Sequence, residues 1–453
     1  MKRWLFAVLA ALMLCLFPAR CFAQEERPVL SWEEWEYYLN DDETATVSRW
    51  HGEGAIINVP EEINGVPVTG IGAETFSLCY KITDIAIPAS VREIGAGAFS
   101  GCNSLTDIKV SPQNENFAVE DKVLFEKKTN TLVTYPGGLT GSSYSVPKGT
   151  SRIGDYAFMY CGDLTSVRIP KSVTEIGEGA FFSCSSLTEV KIPNSVTKIG
   201  AEAFYGCYHL SEVEIPKSVT EIGKHTFEHC SGLKAVTIPD SVTEIGDYAF
   251  MFCSGLTQIR IPASVTKIGE RAFCSCGFDS VSIPASVAKI GEWAFGNCHD
   301  LTIIEVSPDN ENYTVMDNAL VEKKTKTLIC YPDGLTDKKY DIPQGIAKIG
   351  DYAFLYCTKL TGITFPDSVT EIGGHALSSC SGLTSIEIPG SVTKIGERAF
   401  SNCAGLTDIT IPASVTEIGK NAFEGCGKVT LTVEKGSYAE QYAEENKILY
   451  VYH

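Results

Sequence analysis

The sequence predicts an elongated repeat solenoid, mainly β with short helical turns, and three observations carry that prediction. First, a 23-residue unit recurs: SVTEIGKHTFEHCSGLKAVTIPD from Ser218, SVTEIGDYAFMFCSGLTQIRIPA from Ser241 and SVTKIGERAFCSCGFDSVSIPA from Ser264. A period in this range marks stacked supersecondary units. Second, the apolar residues fall at the same places in every copy while the residues between them vary. Third, no unit can fold alone. Burying about six large apolar side chains gives roughly 9–18 kcal/mol, and ordering the backbone of one unit costs on the order of 23–46 kcal/mol. Stacked neighbours must supply the difference.

Each element of the unit has a local cause. In LTQIRIP, from Leu256 to Pro262, Ile259 and Ile261 alternate with Gln258 and Arg260, the pattern of a strand with one face buried and one in water. Pro262 has no N–H and can end the strand. In SVTKIG, Val265 and Ile268 form a second inward pair, and Gly269 permits a tight bend. Ile268, Ala272 and Cys276 recur at helical spacing and predict a short helical turn.

The recurring I-P-x-S-V-T-x-I-G-x-x-A-F-x-x-C-x-x-L-T-x-I resembles the BspA-like, or Treponema-type, leucine-rich repeat, over nearly all of the chain after residue 55. The resemblance implies a right-handed, curved leucine-rich-repeat solenoid with a parallel sheet on its concave face. It also implies a bacterial surface or secreted protein associated with adhesion to host or matrix proteins and with co-aggregation. It brings no catalytic residues with it.

Taken in order, residues 1–23 read as a signal peptide. Lys2 and Arg3 precede an apolar run from Leu5 to Phe17, and Cys21-Phe22-Ala23 suits cleavage. The run is too short to span a membrane. Residues 24–54 read as an N-terminal cap hairpin: Trp35, Tyr37 and Leu39 alternate, Asn40-Asp41-Asp42 turns, and Thr44, Thr46 and Ser48 alternate. The aromatic cluster Trp32, Trp35, Tyr37, Tyr38 and Trp50 suits a cap with one buried face, or else a carbohydrate platform. The solenoid occupies 55–433. Two related inserts, near 110–147 and 306–343, break its period. Each holds a hairpin around a Lys-Lys-Thr turn, Val123–Phe125 with Leu132–Tyr135 and Ala319–Val321 with Leu328–Tyr331, and the two are expected to share one conformation inside a continuous solenoid. Residues 434–453 read as a C-terminal helical cap, in which Ser437 and Glu440 form a capping box before a last strand from Ile448.

Seventeen cysteines in an exported chain suggest disulfides. Thirteen of them, however, from Cys79 and Cys102 to Cys403 and Cys426, hold one fixed place in successive units. Such a column is expected to be a reduced inward ladder of small apolar side chains. Cys274 and Cys330 lie off it and are expected to be the exposed thiols. No paired C-x-x-C spacing suggests a metal, and no cofactor is expected. The seven histidines are scattered and fit no Ser/His/Asp pattern, so no catalytic residue is assigned and an enzyme is not expected.

The formal charge of −19 disfavours nucleic acid and anionic membrane surfaces as partners. Two outward columns remain. One, running from Glu175 and Lys198 to Lys394 and Glu417, alternates in sign and reads as structural. The other carries Lys109, Arg168, Lys191 and Arg260 in its first half and turns acidic or neutral afterwards. These four are the candidate ligand-binding residues, on the predicted concave sheet, for an extracellular protein of host, matrix or neighbouring-cell origin. The alternatives are an extracellular carbohydrate-binding or carbohydrate-cleaving β-solenoid, or a purely structural envelope protein.

Overall fold

The structure is a computed structural model, and it describes residues 27–453. The leader and its proposed cleavage site lie outside the described residues. From residue 30 onward the chain winds as a mostly β solenoid of stacked parallel strands. The wider strands come from the L-T-x-I-x-I-P segments, but Leu256–Pro262, read from the sequence as such a strand, is not one, and the wide sheet breaks at that unit. Ser166–Arg168, Glu189–Lys191, Glu212–Glu214 and Ala235–Thr237 follow one another in one five-stranded sheet. The narrower strands are the two-residue pieces inside S-V-T-x-I-G, such as Lys267–Ile268 against Glu244–Ile245. Period-two alternation turns Val190, Val196 and Ile199 inward while Glu189, Lys191 and Lys198 meet solvent.

The A-F-x-x-C segment is a run of tight turns, not the helical turn its spacing suggested. Two residues in every unit, Tyr156 and Tyr160 in one of them, hold positive φ, which a right-handed helix does not contain. The reason is a third ladder. Alternate N–H groups donate to the next unit: Tyr156 to Glu178 O at 2.8 Å, Phe158 to Ala180 O at 2.8 Å and Tyr160 to Phe182 O at 2.9 Å. Inside it the phenylalanines stack from unit to unit, with Phe181, Phe204, Phe227 and Phe250 at centroid spacings of 5.2–5.4 Å.

The cysteine column lies inward, as expected, and its thiols have a task. Cys184 Sγ donates to Phe158 O at 3.0 Å, Cys207 Sγ to Phe181 O at 3.2 Å and Cys230 Sγ to Phe204 O at 3.1 Å. Each of these carbonyls also accepts the main-chain N–H of its own unit's cysteine, as Phe158 O does from Cys161 N at 3.1 Å, so the thiol takes the oxygen's second lone pair. Burial pushes the Cys184 thiol up to about 12. The expectation that Cys274 is exposed is wrong. It follows the A-F pair in a column that folds back over the turn, and it is fully buried. Cys330 is half-buried.

At the amino end, β1 (Leu30–Trp32), β2 (Trp35–Leu39) and β3 (Ala45–Trp50) form an antiparallel meander, and β3 pairs in parallel with β4 (Val66–Ile71). Trp35 meets Phe76 edge-on at 5.8 Å. Trp35, Tyr37 and Trp50 are buried, so their rings are consumed by packing and offer no platform. After β4 the narrow sheet adds β5 (Glu93–Ile94) and stops.

The first insert follows. The expected hairpin forms and one further strand precedes it, giving a three-stranded meander: β6 (Phe117–Glu120), β7 (Val123–Glu126) and β8 (Thr131–Thr134). β8 then pairs in parallel with β9 (Arg152–Ile153), and the narrow sheet resumes. The second insert repeats this. The sheet stops at β10 (Lys289–Ile290) and passes through β11 (Tyr313–Met316), β12 (Ala319–Glu322) and β13 (Thr327–Cys330) before resuming at β14 (Lys348–Ile349). Registers coincide: Phe117 opposes Glu126 as Tyr313 opposes Glu322, and a bulge follows Leu124 as one follows Leu320. Asn114 and Asn310 anchor the two. Each is 1% exposed. Asn114 Nδ2 donates to Pro88 O and Val91 O at 2.8 and 2.9 Å, and Asn310 Nδ2 to Pro284 O and Val287 O at 2.8 and 3.0 Å.

The solenoid continues through both inserts, with Gly138 N donating to Leu105 O and Gly334 N to Leu301 O, but its packing is divided there. Both sheets are interrupted at each one, and the hydrophobic core divides there into three clusters. The middle strand of each meander is the partition. Leu124 joins the core before it and Val123 the core after, as Leu320 and Ala319 do in the second insert. Side-chain alternation along a strand produces this division.

At the carboxyl end, α1 (Tyr438–Asn446) is N-capped by Ser437, whose side chain accepts from Glu440 N. Tyr442 packs edge-on against Phe423 at 6.1 Å, where the next phenylalanine of the stack would sit. Its hydroxyl accepts from Ala422 N at 3.2 Å. The last strand, β15 (Leu449–Tyr452), pairs in parallel with Thr430–Val433.

Candidate functional surfaces

The outward column of the wide sheet forms as the period dictates. Arg168 is the register partner of Lys191 on one side and of Ser145 on the other. The four candidates are not equivalent. Lys109 lies 3.2 Å from Asp107 and 3.6 Å from Asp84, and Arg260 lies 3.6 Å from Asp240. Their charges are met by the chain itself. Arg168 and Lys191 are both exposed and make no ion pair among the described residues. The first insert separates Lys109 from this pair, because the sheet holding Lys109 ends before Ser143–Ser145 begins. Only Arg168 and Lys191 are brought together.

The alternating column on the narrow strands pairs as its signs suggest. Lys198 meets Glu175 at 2.9 Å, Lys267 meets Glu244 at 3.0 Å and Lys394 meets Glu417 at 3.0 Å. Partial burial of Glu175 acts to raise its pKa, but Lys198 and Arg152 together hold the carboxyl below the usual range.

The sequence reading missed a cleft at each insert. Where the narrow sheet stops at β5, a cleft of about 870 Å³ opens, bounded by β4 and β5 on one side and by β8 and β9 on the other. Its lining includes Arg92, Phe99, Phe117, Thr131, Arg152 and Tyr156. The equivalent opening after β10 is smaller, about 290 Å³. Of the lining positions that differ, three bear on the size of the opening. Trp293 stands in the second where Gly97 stands in the first, and its ring stacks on Tyr352 at 5.4 Å with the Arg271 guanidinium 5.2 Å from its face. Gly296, over which the Trp293 indole lies, replaces Ser100. Tyr313 replaces Phe117, and its hydroxyl accepts from Ile290 N at 2.9 Å. The second cleft also holds Asp333, whose carboxyl burial raises above the ordinary range although His299 lies 3.0 Å away.

Among the described residues, no group of three or more His, Cys, Asp or Glu side chains is arranged to hold a metal ion. No helix among them is long and apolar enough to cross a membrane.

A stacked parallel β-solenoid with this repeat defines a leucine-rich-repeat class of protein. The BspA type leucine rich repeat region matches residues 69–140, 151–277, 220–336 and 330–443, in six copies, and the chain belongs to that family. No curated protein matches it. Among solved structures, a leucine rich cell surface protein of Faecalibacterium prausnitzii is 28% identical, with 92% of this chain and 97% of that one covered and a TM-score of 0.46. A leucine-rich repeat protein of Bacteroides ovatus is 28% identical over 94% and 99%, with a TM-score of 0.47. The pneumococcal vaccine antigen PcpA is 18% identical over 94% and 98%, with a TM-score of 0.46.

Proposed function

We propose that this chain is a secreted or cell-surface binding protein with an adhesin-like role toward extracellular proteins, and that it is not an enzyme. Membership of the BspA-type family supports the general reading, as does the description of the Faecalibacterium relative as a cell surface protein. The observation that carries the binding surface is the pairing of Arg168 and Lys191. Like charges held side by side in a sheet are mildly destabilising, and among the described residues no carboxylate lies within ion-pair distance of either. An acidic segment of a partner protein would, and complementary charge would also speed the encounter. Lys109 and Arg260, already paired, contribute little. The test is the double substitution Arg168→Glu with Lys191→Glu, assayed against immobilised extracellular-matrix proteins at low and high salt. Binding should fall at least tenfold at low salt and lose most of its salt dependence. Unchanged binding by a folded variant removes the proposed surface.

A further inference from the structure

The first cleft is a strand-sized vacancy in the narrow sheet. Interior narrow strands such as Glu244–Ile245 have a parallel neighbour on each side; β5 has β4 alone, and unlike Lys198–Ile199, which also has one neighbour, it borders an open cleft. In the isoleucine column to which Ile94 belongs, Ile94 and Ile290 keep partial exposure, and the other members, from Ile71 to Ile418, are buried. At the second cleft the chain caps its own edge: the Tyr313 hydroxyl takes the Ile290 N–H, and Trp293 narrows the opening. At the first, Phe117 has no hydroxyl to offer Ile94, and Gly97 has no side chain. Ser100, 4% exposed, lines this cleft with a buried hydroxyl that has no hydrogen-bond partner.

We propose that the first cleft binds an extended peptide segment of a partner protein, added as a strand along the open edge of β5. An exposed strand edge offers main-chain donors and acceptors at the repeat of a polypeptide, and strand addition uses that repeat. The volume lies within the range of ligand pockets. Arg92, exposed beside the edge and without an ion pair among the described residues, meets an acidic side chain at its own end of the segment, while Glu93 and Glu126 also line the cleft. The site is separate from Arg168 and Lys191 and does not depend on them.

The probe is a phage-displayed library of linear octapeptides, panned on the full chain. A glycan array is run in parallel. The decisive variant is Gly97→Trp with Ser100→Gly, which rebuilds the second cleft's filling. Its backbone is compatible, because Gly97 has φ +63° and Trp293 φ +54°. Enriched peptides should carry Asp or Glu and should bind this variant at least tenfold more weakly. They should bind Phe117→Tyr several-fold more weakly, because the added hydroxyl occupies the Ile94 N–H. N-methylation of alternate peptide amides should weaken binding at least tenfold, with the intervening amides tolerant. The Arg168→Glu, Lys191→Glu protein should bind these peptides as the wild type does. Failure to enrich any peptide overturns the proposal, as does equal binding by both cleft variants. A glycan that binds the wild type and not the Gly97→Trp, Ser100→Gly variant overturns the assignment of a peptide.

Discussion

The two inserts have one backbone and two surfaces. Their strands, bulges and buried asparagines coincide, yet one leaves a cleft about three times the volume of the other. Residues that hold the meander in place, such as Asn114 and Asn310, are the same. Those that face the gap, Gly97 against Trp293 and Phe117 against Tyr313, are not. The framework is thus fixed by buried polar bonds, and the character of the opening is set by a few side chains that the framework does not need.

The largest effect is expected where the inserts play no part, in the thiol ladder of the regular units between and beyond them. Burial pushes Cys102, Cys184 and Cys380 up to about 12, while an unfolded thiol titrates near about 8.5. The folded chain therefore keeps protons that the unfolded chain gives up. The stability they confer is complete below about pH 8.5 and is lost as pH rises from there towards 12, at about 1.4 kcal/mol per thiol per pH unit. At pH 10 each of these three should have lost about 2 kcal/mol of its contribution, and the other ladder thiols that burial raises act in the same direction. A circular-dichroism titration, followed together with thiolate absorbance, should show one steep loss of structure. Separate thiolate titration in a folded chain would contradict the ladder.

Next in size are the anchors. Asn114→Ala and Asn310→Ala each strand two buried carbonyls and two amide groups, and each should cost about 3 kcal/mol or more in urea unfolding. The two losses should agree within about 1 kcal/mol, and a larger disagreement would break the equivalence of the inserts. Trp293→Gly should cost less. It forfeits a ring stack and a cation–π contact, about 1–2.5 kcal/mol, but releases a left-handed non-glycine residue, which returns about 1 kcal/mol. A net loss of about 1 kcal/mol is expected by urea titration, and a crystal structure of the variant should show the second cleft widened to resemble the first. The smallest effect is Tyr313→Phe, which should cost about 0.5–1.5 kcal/mol for one hydrogen bond to a main-chain amide, read as a shift in the urea midpoint.

Much of the fold is legible in the sequence because a period constrains every element at once. Apolar pairs such as Val190 and Ile192 and the recurring cysteine mark the inward side, and the register that sets Arg168 beside Lys191 follows from counting. Three things were not legible. The third strand of the meander, β6, begins where a normal unit would place its narrow strand, so Phe117 looks like an ordinary member of the isoleucine column. Asn114 sits in a Ser-Pro-Gln-Asn run that reads as a surface turn, and only the carbonyls of Pro88 and Val91 reveal its burial. The clefts depend on what is missing beside β5 and β10, and a sequence records residues rather than the gaps between strands. A signal did exist for one difference: aligning the two inserts puts Gly97 under Trp293.

The division of the core has a mechanical meaning. A rod with one uninterrupted core gives way under tension by peeling from an end. This rod has two internal bulkheads, at Val123–Leu124 and Ala319–Leu320, and just before each meander the narrow sheet breaks. Force applied along the axis should gather at these seams and release the chain in three bursts, one per core. A tether that yields in steps dissipates more work before it parts than one that snaps, and a protein holding a cell against flow would gain from that.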